Sequence, residues 1–457
     1  MNNLHWKFLV YGSWACLMAC QGVRQHDRPP NILVILADDL GWNQLGCYGG
    51  PYRTPNIDGL ARRGMRFTNA YASAPVCSPT RAALMTGKYP ARLHLTDFIK
   101  GGSFPDSLLV QPDWQKFLPL DETTLGETFR DKGYHTAFFG KWHLSREKYP
   151  PESEAFNPDK QGFEEYMVTY KPVRGETDPE QDPHNVDSIT GRAIRFLKEN
   201  REKPFLLVVS HNAIHDPIME SRENIEAFMA FYSDTTYRVH PALGAMVSRL
   251  DKGTGRLLEK LTELGLEEQT LVCFCSDNGG KEAYASQFPF RKGKGWLYEG
   301  GIRVPLIVCW PGKIGADLSN GVITSTVDIY PTLAEICGFA SFEHALDGRS
   351  LACEWLGTGQ VEPGTQYWHY PHYHGGSGMK PASAMRKGKY KLIEWHEDLL
   401  TGKPAWEFYD LENDPGENRD LSAERPEVLA EYIKDLHRWR NEVDAQMPGL
   451  REKVLGP

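Results

Sequence analysis

Two dipeptides, Asp38-Asp39 and Asp277-Asn278, place oxygen donors side by side in this chain. Neighbouring acids repel unless a cation or water neutralises them, and a hard divalent ion such as calcium or magnesium accepts carboxylate and amide oxygens. No Cys/His set accompanies them, which argues against zinc. One acidic pair alone is better explained by a helix cap or a solvated turn; two such dipeptides, each after a buried strand, favour metal. Cationic and imidazole groups gather at Gly140-Lys141-Trp142-His143 and at His215-Asp216-Pro217. Cys77 precedes a small-apolar stretch, residues 82–85, that reads as helix. It is therefore predicted at a helix N-terminus, where unpaired amides favour an anion.

Continuous apolar runs must bring these groups together. Asn31–Ala37 (NILVILA) has the look of a strand buried on both faces, and residues 135–139, 205–209, 270–275 and 305–310 repeat it. Asp38-Asp39, Lys141 with His143, His215, and Asp277-Asn278 each follow one of these runs. Ligands of open α/β sheets bind beyond the carboxyl ends of the strands, so in a parallel sheet the four clusters converge on one crevice. Helical stretches alternate with the runs. One covers 125–132 before Gly133; a second shows a face of Ile189, Ala193, Phe196 and Leu197; a third shows Met246, Leu250, Leu257, Leu261 and Leu264 before Gly265. The expected class is α/β: a large mixed, mostly parallel sheet flanked by helices.

A smaller region follows. Short strands are predicted at 367–370, 390–394 and 407–410 around polar turns such as Arg386-Lys387-Gly388-Lys389. Val428, Leu429, Tyr432, Ile433, Leu436 and Trp439 then mark an amphipathic closing helix. The chain thus divides into an N-terminal segment 1–20, a catalytic unit 29–345, and a small antiparallel sheet with one helix, 346–457.

With 457 residues, 40% hydrophobic and 24% charged, the chain can bury a sizeable core. A net charge of -9 argues against a nucleic-acid partner, though a local cationic cluster can still hold a small anion. Lys7 and the apolar residues 8–17, too short to span a bilayer, read as an export signal. Leu17-Met18-Ala19-Cys20 resembles a bacterial lipobox, in which Cys20 is lipidated; cleavage without a lipid is the other reading. The expected location is the periplasm or outer membrane in the first case and outside the cell in the second. Cys273, Cys275, Cys309 and Cys337 sit among apolar neighbours and read as core; Cys47 is a loop residue.

Cys77-Ser78-Pro79-Thr80-Arg81-Ala82-Ala83-Leu84-Met85-Thr86-Gly87 resembles the signature of type I sulfatases, members of the alkaline phosphatase superfamily: C-x-P-x-R, a small-apolar stretch, then T-G. The five-residue core alone is weak, with a Cys in a turn before a helix as its plain explanation; the extended match is specific. The resemblance implies that a maturation enzyme oxidises Cys77 to Cα-formylglycine (3-oxoalanine). It makes Asp38, Asp39, residue 77, Asp277 and Asn278 the ligands of calcium, with magnesium as the alternative. Phe139-Gly140-Lys141-Trp142-His143-Leu144 matches the family's F-G-K-W-H-L element, whose Lys and His contact the aldehyde hydrate and the sulfate. His215 matches the residue that protonates the leaving group, while His211, nearer the strand, reads as framework. Gly293-Lys294-Gly295 with Tyr298-Glu299-Gly300-Gly301-Ile302-Arg303 matches the G-K-G…Y-E-G-G-x-R element and puts Lys294 on the sulfate; Lys292 is out of register. The likeness covers about 31–338, and more loosely 385–393 and 406–419. Ser145 stands where Gly is common, without evident consequence.

The implied activity is hydrolysis of sulfate monoesters through a gem-diol nucleophile at residue 77 stabilised by the cation and Arg81. A phosphodiesterase or phosphonate monoester hydrolase of the same superfamily is the alternative. A dead carbohydrate-binding lipoprotein would not keep every one of these positions filled. Sulfated carbohydrates are the expected substrates. Trp368, His369, Tyr370, His372, Tyr373 and His374 form an aromatic, His-rich stretch suited to a sugar subsite, with His369 and His372 as contacts; a packed interdomain loop is the equal alternative.

Overall fold

The computed structural model describes residues 28–145, 154–232, 239–339 and 344–452. The expected signal, with Cys16 and Cys20, lies outside them. An 8-stranded sheet forms the centre. Its strands are β1 (Asn31–Ala37), β2 (Met65–Phe67), β3 (His135–Gly140), β4 (Glu165–Val168), β5 (Phe205–Ser210), β6 (Thr270–Ser276), β7 (Leu306–Cys309) and β8 (Leu318–Asn320). They lie in the order β8-β2-β7-β6-β1-β5-β3-β4. The five apolar runs of the sequence are its middle, β7-β6-β1-β5-β3. β1 runs parallel to both β5 and β6, and β3 parallel to β5 and β4. β7 is antiparallel to both its neighbours, which makes the sheet mixed.

Alternation along β1 divides the core in two. Leu33, Ile35 and Ala37 face one helical layer, and Ile32, Val34 and Leu36 the other. The helices that matter are α1 (Pro55–Arg62), α2 (Cys77–Thr86), α3 (Leu125–Asp131), α4 (Val186–Glu199), α5 (Pro241–Glu263), α6 (Ile329–Ile336) and α7 (Pro426–Glu442). α1, α4 and α5 cover the first face, with Ile189, Ala193, Phe196 and Leu197 on α4 all buried as their spacing predicts. α2, α3 and α6 cover the second. Each fully buried Leu, Ile or Phe there contributes roughly 1.5–3 kcal/mol.

α2 is not amphipathic: every one of its residues is buried. Ala82, Leu84 and Met85 pack into the core of the large sheet, while Ala83 packs against the smaller C-terminal layer. A helix wedged between two layers must be apolar and small all round, and this accounts for the A-A-L-M composition. Gly87, at φ 65°, ends it.

The second sheet is antiparallel, in the order β9 (Thr365–Tyr370), β10 (Ala382–Lys387), β11 (Tyr390–Trp395) and β12 (Trp406–Asp410). β10 was not among the expected strands. Its sequence, ASAMRK, lacks large β-branched residues, and the turn expected at 386–389 is the hairpin joining it to β11. Both faces of this sheet are buried. Met385, Leu392 and Phe408 meet Leu429, Tyr432, Leu436 and Trp439 of α7; Trp368, Tyr370, Ala384 and Ile393 meet Tyr71, Val76, Leu297 and Tyr298 of the larger unit. Between the layers, Lys391 Nζ donates to Glu299 Oε1 at 3.0 Å and to Glu417 Oε1 at 2.7 Å, all three residues being buried. Leu351 and Trp355 still belong to the core of the large sheet, beyond the expected division at 345/346. Among the described residues no helix is long and apolar enough to cross a membrane.

Candidate active site

Strand register brings the two oxygen-rich dipeptides together. β1 and β6 pair with Ala37 opposite Ser276, so the residues that follow each strand, Asp38 and Asp277, become neighbours. Asp39 then turns sharply, at φ 61°, and its amide donates to Asp277 Oδ1 at 3.1 Å. A non-glycine residue held in the left-handed region costs energy that its surroundings must offset, and such residues cluster at functional sites. β3 and β5 deliver Lys141 in the same way, with Gly140 opposite Ser210. Gly140 has φ 121°, and a Cβ there would collide with the Ser210 carbonyl oxygen, so only glycine allows this approach.

Cys77 is the first residue of α2 and is almost fully buried. Its Sγ lies 3.6 Å from Asp38 Oδ1, 3.9 Å from Asp39 Oδ1 and 3.5 Å from Lys294 Nζ. One turn on, Arg81 is held on all sides. Its Nε donates to Asp277 Oδ2 at 2.9 Å, and its Nη1 to the Lys141 carbonyl and to Ser210 Oγ, both at 2.7 Å. Lys141 Nζ bonds both Asp38 oxygens at 2.8 and 2.7 Å; Lys294 Nζ bonds both Asp39 oxygens at 2.6 and 2.9 Å. Lys294 is carried by a loop whose amide at 294 donates to Gly280 O at 2.9 Å, just past β6.

Three buried carboxylates therefore face three cations. Burial pushes the Asp38 carboxyl up to about 7, against the pull of Lys141 and with the push of Asp277 and Asp39. At Asp39 burial is outweighed by Lys294, His215 and Lys141, which hold it below the usual carboxylate range. Burial, with Asp277 beside it, pushes the Cys77 thiol up to about 12. A cysteine with that value is a protonated thiol at neutral pH and a poor nucleophile.

The two histidines have defined faces. His143, at φ 57°, bonds the Ile99 carbonyl through Nε2, which must donate, so the neutral ring keeps its lone pair on Nδ1. That Nδ1 is buried without a protein partner. The Ile99 amide is itself tied to Ser78 Oγ at 3.0 Å, next to Cys77. His215 donates from Nδ1 to the Asp216 carbonyl at 2.6 Å, which leaves Nε2, 3.7 Å from Asp39 Oδ2, as its working nitrogen. Burial first, then the nearby lysines, lower both histidines well below 6.5.

The residues present fit a hard cation. Asp38, Asp39 and Asp277 supply carboxylate oxygens, and Asn278 Oδ1 is buried with no hydrogen-bond partner. Ligating atoms of Asp38, Asp39, Cys77 and His215 all lie within 4.8 Å of one another. The oxygen-rich set of Asp38, Asp39, Asp277 and Asn278 suits calcium or magnesium better than a nitrogen–sulfur metal.

Above them opens a cavity of about 670 Å³, lined by Cys77, Lys141, His143, His215 and Lys294 among others. Its size is that of a small-ligand site. His369 and His372 do not reach it, and the expected sugar contacts at these positions are corrected. His369 is buried on the α7 side of β9, its ring nitrogens bonded to Ser383 Oγ at 2.8 Å and Gln446 O at 2.9 Å. His372 is fully buried between Thr96 Oγ1 at 2.7 Å and Gln111 Oε1 at 2.8 Å. Of that stretch, His374 lines the cavity. His211 is buried in the core, as a framework residue would be. Sequence reasoning also missed Ser210, which braces Arg81, and Ile99, whose carbonyl orients His143; a terminal Ser on an otherwise apolar strand was the one available signal.

Residues 30–339 match the family model described as Sulfatase, and residues 291–445 match that described as N-sulphoglucosamine sulphohydrolase, C-terminal. Arylsulfatase A of Homo sapiens is 32% identical over 480 residues, spanning 92% of this chain and 89% of that protein. N-acetylgalactosamine-6-sulfatase of Canis lupus familiaris is 31% identical over 451 residues, 90% of this chain and 79% of that protein. The crystal structure of Ps i-CgsB in complex with k-i-k-neocarrahexaose aligns with a TM-score of 0.76 at 27% identity, covering 93% of this chain and 96% of that one. The family match begins just before β1 and runs past α6, across every strand end that feeds the cavity; the chain belongs to the sulfatase family and is a sulfuric ester hydrolase.

Proposed function

We propose that this sulfatase cleaves sulfate esters of carbohydrates, with residue 77 matured to Cα-formylglycine, calcium or magnesium as its cation, and a site of action outside the cytoplasm. The single observation that carries the reading is the placement of Cys77: the first residue of an all-buried helix, open to the cavity, with Lys294, Asp38 and Asp39 around its Sγ. A buried thiol there is unreactive, and the hydrated aldehyde would supply an oxygen nucleophile with a second hydroxyl through which sulfate can leave. Asp38, Asp39, Asp277 and Asn278 would hold the cation, which when bound offsets negative charge on reacting oxygens.

The rest is done by side chains of this chain. Lys141 and Lys294 line the cavity and oppose charge on the sulfate oxygens, the electrostatic contribution that usually dominates such catalysis. Arg81, anchored to Asp277, Ser210 and the Lys141 carbonyl, keeps its charge under residue 77. His143 accepts a proton at Nδ1, and His215 delivers one from Nε2 to the departing oxygen. Export rests on residues 1–20, and a lipid anchor on Cys20. Two of the relatives support a carbohydrate substrate, one named for N-acetylgalactosamine 6-sulfate and one solved with a bound neocarrahexaose.

Mass spectrometry of protein made with a maturation enzyme tests the reading. The peptide containing residue 77 should carry an aldehyde, and turnover of nitrophenyl sulfate and of sulfated sugars should exceed that of nitrophenyl phosphate diesters. Cys77→Ala should abolish turnover and leave the fold intact. Full activity with unmodified Cys77 would sink the mechanism.

A further inference from the structure

The cavity mouth carries charge that the reaction centre does not use. Lys100, Lys171 and Lys281 all line it, and they come from three separate stretches: the loop that holds His143, the segment after the edge strand β4, and the segment after β6. Lys100 and Lys171 are exposed, and among the described residues neither has a carboxylate within ion-pair distance. Lys171 is near enough for its charge to bear on His215. Lys281 has one partner at the mouth, Asp216 Oδ2 at 3.4 Å. Three cations against one carboxylate is a local excess in a chain whose net charge is -9. Excess of one sign in a cleft with low-dielectric walls concentrates ligands of the other sign. The wall beside these lysines is aromatic: Phe98 meets His374 edge-on at 5.8 Å, and Tyr170 is partly exposed.

On the proposed reading, Lys141 and Lys294 meet the sulfate that is cleaved. A neutral sugar beyond that sulfate would leave Lys100 and Lys171 without a counter-charge and Lys281 with Asp216 alone. We propose that Lys100, Lys171 and Lys281 form a second anion subsite, so that the preferred substrate is a glycan carrying another anionic group besides the sulfate removed. The inference rests on the sulfatase reading above and adds the substrate's charge to it. A second sulfate and a uronate carboxylate share the chemistry the lysines recognise, and Phe98, in the cavity wall, offers apolar contact to the sugar between the two anions.

The test compares three probes on matured enzyme: a hexosamine monosulfate, the corresponding disulfate, and the monosulfate linked to a hexuronic acid. Nitrophenyl sulfate serves as the reference substrate. Wild type should prefer one of the doubly charged probes over the monosulfate in kcat/KM, mainly through KM, and the preference should shrink as salt rises. In Lys100→Gln/Lys171→Gln that preference should fall about tenfold, the size expected for two solvent-exposed charge pairs. Lys100→Arg/Lys171→Arg should restore it. Calorimetry on Cys77→Ala protein, which binds without turnover, should show the same difference in Kd. Loss for the disulfate alone identifies a sulfate as the second group, and loss for the uronate alone a carboxylate. An unchanged preference in the Gln variant, or no preference in wild type, overturns the proposal. Absence of any turnover of nitrophenyl sulfate by wild type would instead count against the sulfatase mechanism.

Discussion

Removing the His215 ring tests how the leaving group departs. In the structure the ring is fixed by its Nδ1–H on the Asp216 carbonyl at 2.6 Å, so Nε2 is the atom that can carry a proton into the cavity. His215→Ala deletes that donor from the cavity wall. A general acid contributes about 100- to 10,000-fold. At 1.36 kcal/mol per tenfold, that is about 2.7–5.4 kcal/mol of barrier for a poor leaving group such as a sugar alkoxide. A nitrophenolate leaves with little help, so the same variant should lose less than about tenfold on nitrophenyl sulfate. Steady-state kcat/KM for the two substrates, on wild type and variant, gives the contrast directly. The pH profile adds a second reading. An acid acts only when protonated, and burial with Lys294 lowers the His215 pKa below 6.5. Sugar-sulfate activity of the wild type should therefore decline as pH rises through that lowered value, and His215→Ala should lose this limb. Equal losses on both substrates, with an unchanged pH profile, would show that His215 is not the acid.

Further expectations concern the cation and the fold. Exhaustive chelation should lower turnover and the thermal midpoint together, and calcium or magnesium should restore both; full activity in metal-free protein would refute the ligand assignment. Asp277→Ala should cost about 3–5 kcal/mol in urea unfolding, because it strands the buried Arg81 guanidinium bonded to it at 2.7 and 2.9 Å. His369 is buried neutral, pushed down to about 4 by burial, and the neighbouring His372 and His396 are lowered too. Below about 6.5 the unfolded chain binds a proton at His369 that the folded one does not, so the contribution of this residue is constant above that pH and is lost as pH drops from 6.5 to 4. That loss is about 3 kcal/mol. His369→Gln should flatten the dependence of the urea midpoint in this window, and an unchanged slope would remove His369 from the account.

Much of the reactive centre is legible in the sequence for a simple reason. Parallel strands buried on both faces are continuous apolar runs, and the groups that meet beyond their ends directly follow those runs along the chain. The order of residues along the chain thus assigns Asp38, Lys141, His143, His215 and Asp277 to one crevice. The middle of the large sheet and the faces of α4 and α5 were legible too, because burial repeats with the period of the element. The short outer strands β2, β4 and β8 were not: at three or four residues they leave too short a pattern. β10 was hidden by small residues whose strand character comes from its partners on both sides.

Other features are settled only by the way distant segments pack. Composition offered the aromatic, His-rich stretch 368–374 as a sugar subsite and pointed to His369 and His372 within it. Side-chain direction on β9 turns His369 toward α7, the loop carrying Thr96 closes over His372, and His374 alone of the three reaches the cavity. The ring nitrogen left open in His143 and in His215 is likewise chosen by a backbone carbonyl, Ile99 or Asp216, that no spacing rule points to. Lys100, Lys171 and Lys281 are unremarkable surface lysines in the sequence. They become one charged mouth because three loops end at the same edge of the sheet, and charges act through space rather than along the chain.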